Sequence, residues 1–585
     1  MWKAARVAVA LAVLLLFIAG FVNLANNEPA AWEHAVERVQ FVPALLGTLS
    51  GVAGAALALA VLVLITLVFG RVYCSFLCPL GILQDIVIRL RRWADGLRGR
   101  VRKGAAIRYA PPVPYVRYVV LGVVAVSMLG GAALLLAWLD PYTIAARFAA
   151  GVVNPLAATV ADALPGQDTA APAWGRYGVL LGVVGLFIAI PLVMAWWRGR
   201  LYCNTICPVG ALLGLLSRRP LLRLGMDPAG CVLCGNCLKA CKANCIDLKN
   251  HRVDTSRCVN CYDCVSACSH GLRPKLTNPF RSAPAPKQKP RKQPTPAAPD
   301  TSRRAFLGAM ACGVPALMVS CREKSPEELS ANPAELGDNE APATTPPGSR
   351  NVERFLDRCT GCGLCITACP THVLQPSRTQ HGLRGVMKPY MDFTQGFCNF
   401  DCNICSTVCP EGAILPIALA EKKQTQIALA DFDRSYCIVQ QNHTECGACT
   451  EHCPTKALYT KEEQFPACDS AKCYACHACV ETCPQKAISI AEAEDGSAYV
   501  AIDNKKCIGC GKCARVCPSG AMTVQRLLIP ALAPELCIGC GACTYACPVR
   551  PRRAMQLTAR ARHLPAQVHR EAPAENPVAE DDFPF

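Results

Sequence analysis

The sequence lacks the motifs of a self-contained catalyst: it has no glycine-rich nucleotide loop, flavin fingerprint or molybdenum-type domain, and no nucleophile beside an evident base. Bond-making chemistry by this chain alone is therefore unsupported. No histidine falls within its long apolar runs, which leaves them without the common haem ligand. No nucleic-acid module accompanies the net charge of +17, so nucleic acid is not the reason for it. Charge itself is nearly missing from residues 7–24, 44–69, 116–139 and 178–197, which carry none beyond Arg117. Each run is long enough for a hydrocarbon core of about 30 Å, and a buried soluble helix is rarely apolar on every face for so long. Four helices spanning a lipid bilayer are expected.

The basic residues give these helices a direction. Arg71, Arg89, Arg91, Arg92, Arg98, Arg100, Arg102, Lys103 and Arg108 crowd the connection between the second and third runs, while 25–43 and 140–177 are nearly balanced or acidic. The positive-inside rule puts the arginine-rich loop in the cytoplasm, with both ends of the bundle.

What the chain has in abundance is cysteine, 40 residues in all. Thirty-two fall into eight blocks, most spaced C-x2-C-x2-C-x3-C: Cys231, Cys234, Cys237 and Cys241; Cys258, Cys261, Cys264 and Cys268; Cys359, Cys362, Cys365 and Cys369; Cys398, Cys402, Cys405 and Cys409; Cys437, Cys446, Cys449 and Cys453; Cys473, Cys476, Cys479 and Cys483; Cys507, Cys510, Cys513 and Cys517; Cys537, Cys540, Cys543 and Cys547. Two intervening residues let successive thiolates converge on one [4Fe–4S] cubane, and the fourth cysteine of a block reaches a second cluster. Structural zinc needs no third cysteine at that interval and no trailing proline. About eight [4Fe–4S] clusters follow, with blocks working in pairs. Pairing neighbours predicts modules over 231–268, 359–409, 437–483 and 507–547. Cys437 stands apart because eight residues separate it from Cys446, and Cys468 is an alternative ligand. Cys245 occupies a position that later blocks give to alanine and reads as a small buried residue.

The membrane region repeats itself. Gly70-Arg71-Val72-Tyr73-Cys74-x3-Cys78-Pro79 follows the second run, and Gly199-Arg200-Leu201-Tyr202-Cys203-x3-Cys207-Pro208 follows the fourth. If the repeats pack symmetrically, Cys74, Cys78, Cys203 and Cys207 meet at the cytoplasmic membrane surface, each pair on one helix face. They could then hold a further metal centre or act as two redox dithiols, and the residues leave that choice open. Packing at a bend made by Pro79 and Pro208 is the plainer alternative.

Residues from about 271 to 350 turn rich in Pro, Ala, Lys and Ser, as a linker does. Within it Thr301-Ser302-Arg303-Arg304-Ala305-Phe306-Leu307-Gly308 resembles a twin-arginine export signal, followed by an uncharged run over 305–320 and by Cys321 in a lipoprotein-like box. Cys312 has no evident ligand partners.

With these motifs in view, the first 270 residues resemble the membrane polyferredoxins of the NapH, NosR and CcoG group, and residues from about 300 onward resemble NapG-type ferredoxins. The resemblance implies an electron-transfer subunit, quinol dehydrogenase-like, that draws on the membrane quinone pool and serves a respiratory reductase or cytochrome. A redox assembly factor that reduces metal for another enzyme is the alternative. The expected fold is an α+β multidomain chain: a four-helix transmembrane bundle (1–225), a cytoplasmic two-cluster ferredoxin module (226–275), a linker (276–350), a six-cluster region (351–560) and a disordered tail (561–585). The chain is expected in the cytoplasmic membrane, with 351–560 periplasmic, or cytoplasmic if the signal is silent.

Overall fold

A computed structural model describes residues 2–22, 34–97, 114–129, 134–162, 180–227, 230–268, 272–276, 343–492, 498–503 and 506–567. The twin-arginine-like segment, Cys312 and Cys321 lie outside them.

The apolar N-terminal third folds into helices α1 (Trp2–Ala19), α2 (Phe41–Leu49), α3 (Ala55–Phe69), α4 (Pro79–Leu97), α5 (Pro114–Leu129), α6 (Pro141–Ala161), α7 (Leu181–Arg198) and α8 (Pro208–Leu216). Among the described residues, α6 and α7 are long and apolar enough to cross a membrane, and α3 and α5 are shorter apolar helices. Two expectations change here. The run 44–69 is not one helix, because Gly51 (φ 75°) and Gly54 (φ 79°) take left-handed backbone and fold α2 back along α3. In addition, α6 lies where the sequence reads a polar connection. Its two charged residues near the start are engaged: Asp140 caps the helix by accepting from the Thr143 N–H at 2.7 Å, and Arg147 binds partners described below.

Cluster-bearing bodies pack at the two ends of α3. At its C-terminal end lies the 226–275 module, closed by the antiparallel pair β1 (Leu222–Met226) and β2 (Leu272–Leu276). There Asn260 donates to the Phe69 carbonyl, and Ser75 Oγ donates to the Val259 carbonyl at 2.8 Å. At the N-terminal end sits the six-block region, where Ser50 Oγ donates to the Glu411 carbonyl at 3.1 Å and Arg38 to that of Thr407 at 2.7 Å.

The six-block region is held by strand pairs: β3 (Thr425–Phe432) with β8 (Met555–Pro565), β4 (Leu458–Cys468) with β7 (Met522–Leu532), and the hairpin β5 (Ile488–Glu492) with β6 (Ala498–Ile502). The β4/β7 ribbon keeps register from Leu458 opposite Leu532 to Cys468 opposite Met522, so everything between these strands is carried as an insertion at its far end. Residues 344–349, expected as linker, are buried, with the Thr344 carbonyl accepting from Met391 N at 3.0 Å. Strand β8 likewise continues past 560 to Pro565, into what the sequence reads as tail.

Candidate metal centres

The ferredoxin loops share one backbone device. Two residues before the third cysteine the chain turns left-handed and starts a short helix: Gly235, Tyr262, Gly363, His477, Gly511 and Gly541 all have φ between 58° and 85°. Asn403 and Gly447, in the two blocks with irregular spacing, do not (φ −130° and −115°). Backbone N–H groups point at the sulfurs: Gly361 to Cys359 (3.4 Å), Ala487 to Cys483 (3.3 Å), Gly509 to Cys507 (3.4 Å) and Met522 to Cys517 (3.4 Å). Such donors favour the thiolate a cluster needs. Burial opposes them, pushing the Cys359 thiol up to about 12 and that of Cys398 to about 11, so a metal must take the place of the proton.

In space the thiols group by fours, with the fourth member crossing over as the spacing implies. Cys231, Cys234 and Cys237 gather with Cys268, and Cys258, Cys261 and Cys264 with Cys241. Cys359, Cys362 and Cys365 gather with Cys409, and Cys398, Cys402 and Cys405 with Cys369. Beyond these, neighbour pairing fails. Cys437, Cys446 and Cys449 take Cys547, and Cys537, Cys540 and Cys543 take Cys453. Cys473, Cys476 and Cys479 take Cys517, and Cys507, Cys510 and Cys513 take Cys483. One module (473–517) is thus nested inside another (437–453 with 537–547), on the β4/β7 ribbon. Cys437 joins its expected group, whereas Cys468 borders Cys473 and Cys479 instead. Cys245 is buried, with its sulfur 3.6 Å from that of Cys241 and beside Cys258.

The groups follow one another through space. The Cys359–Cys362 loop faces the helical bundle, where buried Arg147 donates to the carbonyls of Thr360 (2.6 Å) and Gly361 (3.1 Å) and stacks over Trp138, 4.4 Å from the ring centre. Next, Cys398 N donates to the Cys540 carbonyl at 2.8 Å. Cys507 then shares a surface cleft with Arg434 and Gln440, near the Cys437 loop. The last group carries the exposed Cys476 beside exposed Tyr474, and at the other end of the molecule Cys234 is exposed beside Val232 and Leu233.

Cys74, Cys78, Cys203 and Cys207 are all buried and within electrostatic reach of one another, so the repeats do bring them together. They do not sit on continuous helices. Cys74 and Cys203 lie on one-turn helices, and Cys78 and Cys207 precede α4 and α8, whose first residues are Pro79 and Pro208. The Gly81 N–H points at Cys78 Sγ (3.4 Å) and the Gly210 N–H at Cys207 Sγ (3.2 Å). The halves are cross-braced: Arg71 donates to the Cys203 carbonyl (2.9 Å) and Arg200 to the Cys74 carbonyl (2.6 Å). A Cβ at Gly81 or Gly210 would run into those same carbonyls.

A buried charge network joins this core to the 226–275 module. Asp85 meets Arg6 (2.7 Å), Arg200 (2.8 Å) and Lys242 (3.3 Å), and Lys242 also meets Asp263 (2.9 Å). Burial alone would raise the Asp85 pKa, but the three cations outweigh it and hold the carboxyl well below its usual range. Asp85→Asn should cost about 3–5 kcal/mol, the usual penalty for breaking a buried pair. Because the folded pKa is depressed, that loss is full at neutral pH and shrinks only in strong acid, as thermal unfolding in detergent at a series of pH values would show.

Comparison with known proteins agrees with this chemistry. Models described as 4Fe-4S dicluster domain match residues 358–414, 472–521 and 500–557, and models described as 4Fe-4S binding domain match 51–98, 179–225 and 444–457. The matches over 472–521 and 500–557 compete for the block at 507–517, and the thiol grouping selects the former. The chain holds several [4Fe–4S] clusters, in keeping with about eight, and is an iron–sulfur protein. It is similar to the ferredoxin-type protein NapH of Haemophilus influenzae (28% identity over 187 residues, 31% of this chain and 51% of that one). It is also similar to the ferredoxin-type protein NapF of Escherichia coli K12 (31% over 113 residues, 19% and 60%) and to the methylamine utilization ferredoxin-type protein MauN of Methylobacillus flagellatus (25% over 251 residues, 41% and 75%). The chain thus spans about half of the NapH relative and three-fifths of the NapF relative.

Proposed function

We propose that this chain is a membrane-spanning iron–sulfur conduit that carries single electrons between a cytoplasmic and an external partner, as the electron-transfer arm of a quinol dehydrogenase serving a respiratory reductase. The observation that carries the reading is the position of the two cluster-bearing bodies at opposite ends of α3, whose 15 residues make it about 22 Å long. Large apolar side chains face outward on the helices between them, including Leu15, Leu57, Leu64, Leu186 and Trp197, as a lipid-facing surface requires. Of the two designs the sequence permits, this arrangement favours the exported one. The six-block region packs on Arg38 and Arg147, in the connections read as external, and on Ser50, at the turn between α2 and α3, while the 226–275 module packs beside the arginine-rich side.

[4Fe–4S] clusters supply one-electron redox centres whose potentials the surroundings set. The protein contributes order and insulation: buried loops inside, and exposed loops at Cys234 and Cys476 where partners can approach. The ferredoxin-type names of its relatives support electron transfer as the role, and the resemblance of the sequence to the membrane polyferredoxins implies a respiratory reductase as the acceptor and the quinone pool as the source of electrons.

A topology reporter fused after Phe585 tests the sidedness. Activity of a reporter that works only outside the cytoplasm is expected, together with protection of the 226–275 module from added protease in intact spheroplasts. A cytoplasmic reporter signal would refute the two-sided arrangement.

A further inference from the structure

Two cluster chains on opposite sides of a bilayer form one conductor only if something between them accepts an electron. Residues 51–98 and 179–225, whose only cysteines are Cys74, Cys78, Cys203 and Cys207, match models described as 4Fe-4S binding domain; we infer that the two halves share one such centre, and that this centre is the relay joining the cytoplasmic clusters to the external ones. The inference rests on the two-sided reading above.

Position is the first argument. Both Cys-x3-Cys motifs touch the inner module through the residue after their first cysteine. Ser75 donates to the Val259 carbonyl in the Cys258–Cys261 loop (2.8 Å), and Asn204 donates to the Ala243 carbonyl beside Cys241 (3.2 Å). Cys241 and Cys258 belong to the same thiol group, so both halves of the repeat rest on a single inner cluster site. Toward the other face, Tyr202 OH donates to the Leu139 carbonyl at 2.8 Å. Three residues on, buried Tyr142 packs against Phe17 and lies near Cys362, in the loop that faces the bundle. The four thiols therefore lie between the Cys258 and Cys362 loops within one continuous packed core.

Charge is the second argument. Arg71 and Arg200 are both fully buried next to these sulfurs. Arg200 is balanced by Asp85, but Arg71 has no carboxylate within ion-pair distance among the described residues, and its Nε is without a hydrogen-bond partner. Its Nη2 lies 3.8 Å from Cys74 Sγ. A buried guanidinium without a counter-charge is costly, and four thiolates shared with iron supply that missing negative charge. The N–H groups at the starts of α4 and α8 act in the same sense at Cys78 and Cys207.

Size is the third. No three His, Cys, Asp or Glu side chains converge tightly enough for a single ion among the described residues. The same is true of the ferredoxin loops, whose thiols surround a cubane, so the quartet matches a cluster better than one zinc. In operation one electron enters from the group at Cys258 or Cys359 and leaves to the other, and no bond forms or breaks.

The test uses the full chain, purified anaerobically and reconstituted in vesicles. In the Cys74→Ala/Cys203→Ala variant, iron and acid-labile sulfide should each fall by about four per chain relative to wild type, with the spectra of the other clusters kept. A membrane-impermeant reductant on the inner-module side, which reduces the external clusters of wild type, should no longer do so. Arg71→Gln, which keeps the sulfurs, should retain the iron and shift the potential of one centre, guarding against a variant that misfolds. Unchanged iron, zinc in the quartet, or undiminished trans-bilayer reduction in the double variant would overturn the inference. If wild-type vesicles instead expose both cluster bodies on one face, it is the two-sided reading that fails.

Discussion

Replacing Cys453 with alanine is expected to strip the fourth ligand from the site formed by Cys537, Cys540 and Cys543, far along the chain, and to spare the site formed by its own loop. About one to four irons per chain should be lost, and the spectrum that disappears should match the one lost from Cys543→Ala. The double variant Cys453→Ala/Cys543→Ala should then lose no more than either single one, because the two residues serve one site. Combining Cys453→Ala with Cys479→Ala should instead add two losses, since separate sites behave independently. Were blocks paired in chain order, Cys453 and Cys479 would share a site and this pattern would invert. Anaerobic iron counting with Mössbauer or EPR spectra of the four variants decides between the two.

That pairing illustrates how far the sequence could be read. The cysteine spacing is a local constraint: it dictates a loop with thiolates on three irons, and the left-handed turns at Gly235, Gly363 and Gly541 are its direct result. Which distant cysteine closes the cubane is not a local matter. It depends on the β4/β7 ribbon, whose eleven paired residues lift the 473–517 module out of its neighbour, and strand pairing across more than fifty residues leaves no trace in the spacing. The helix α6 was obscured for a different reason. Asp140 and Arg147 make the segment look like a polar connection, yet one caps the helix and the other is consumed by carbonyls of the Cys359 loop. The relation between the two Cys-x3-Cys-Pro motifs was legible because it is a repeat, whereas their cross-bracing by Arg71 and Arg200 appears only once the halves are packed.

Arg147 is also where the second large effect is expected. It is a buried side chain of the bundle that grips the six-block region, with two donors on the Thr360 and Gly361 carbonyls and its plane against Trp138. Truncation to alanine leaves two buried carbonyls short of a donor and removes the stacking, at about 2–5 kcal/mol for a buried charged hydrogen-bonding group at an interface. Arg147→Lys keeps the charge but not the flat fork, and should recover only part of the loss. Both variants should bind their full complement of iron, because no cysteine is touched. What should change is the contact between bodies. Chemical cross-links between residues 38–50 and 407–412 should fall in the order wild type, lysine, alanine. Electron passage from the 226–275 module to the Cys359 group should slow in the same order, while reduction of the six-block clusters by a reagent added directly to them stays at the wild-type rate. A slowing of both reactions alike would mean that Arg147 supports the fold of the six-block region instead of joining it to the bundle.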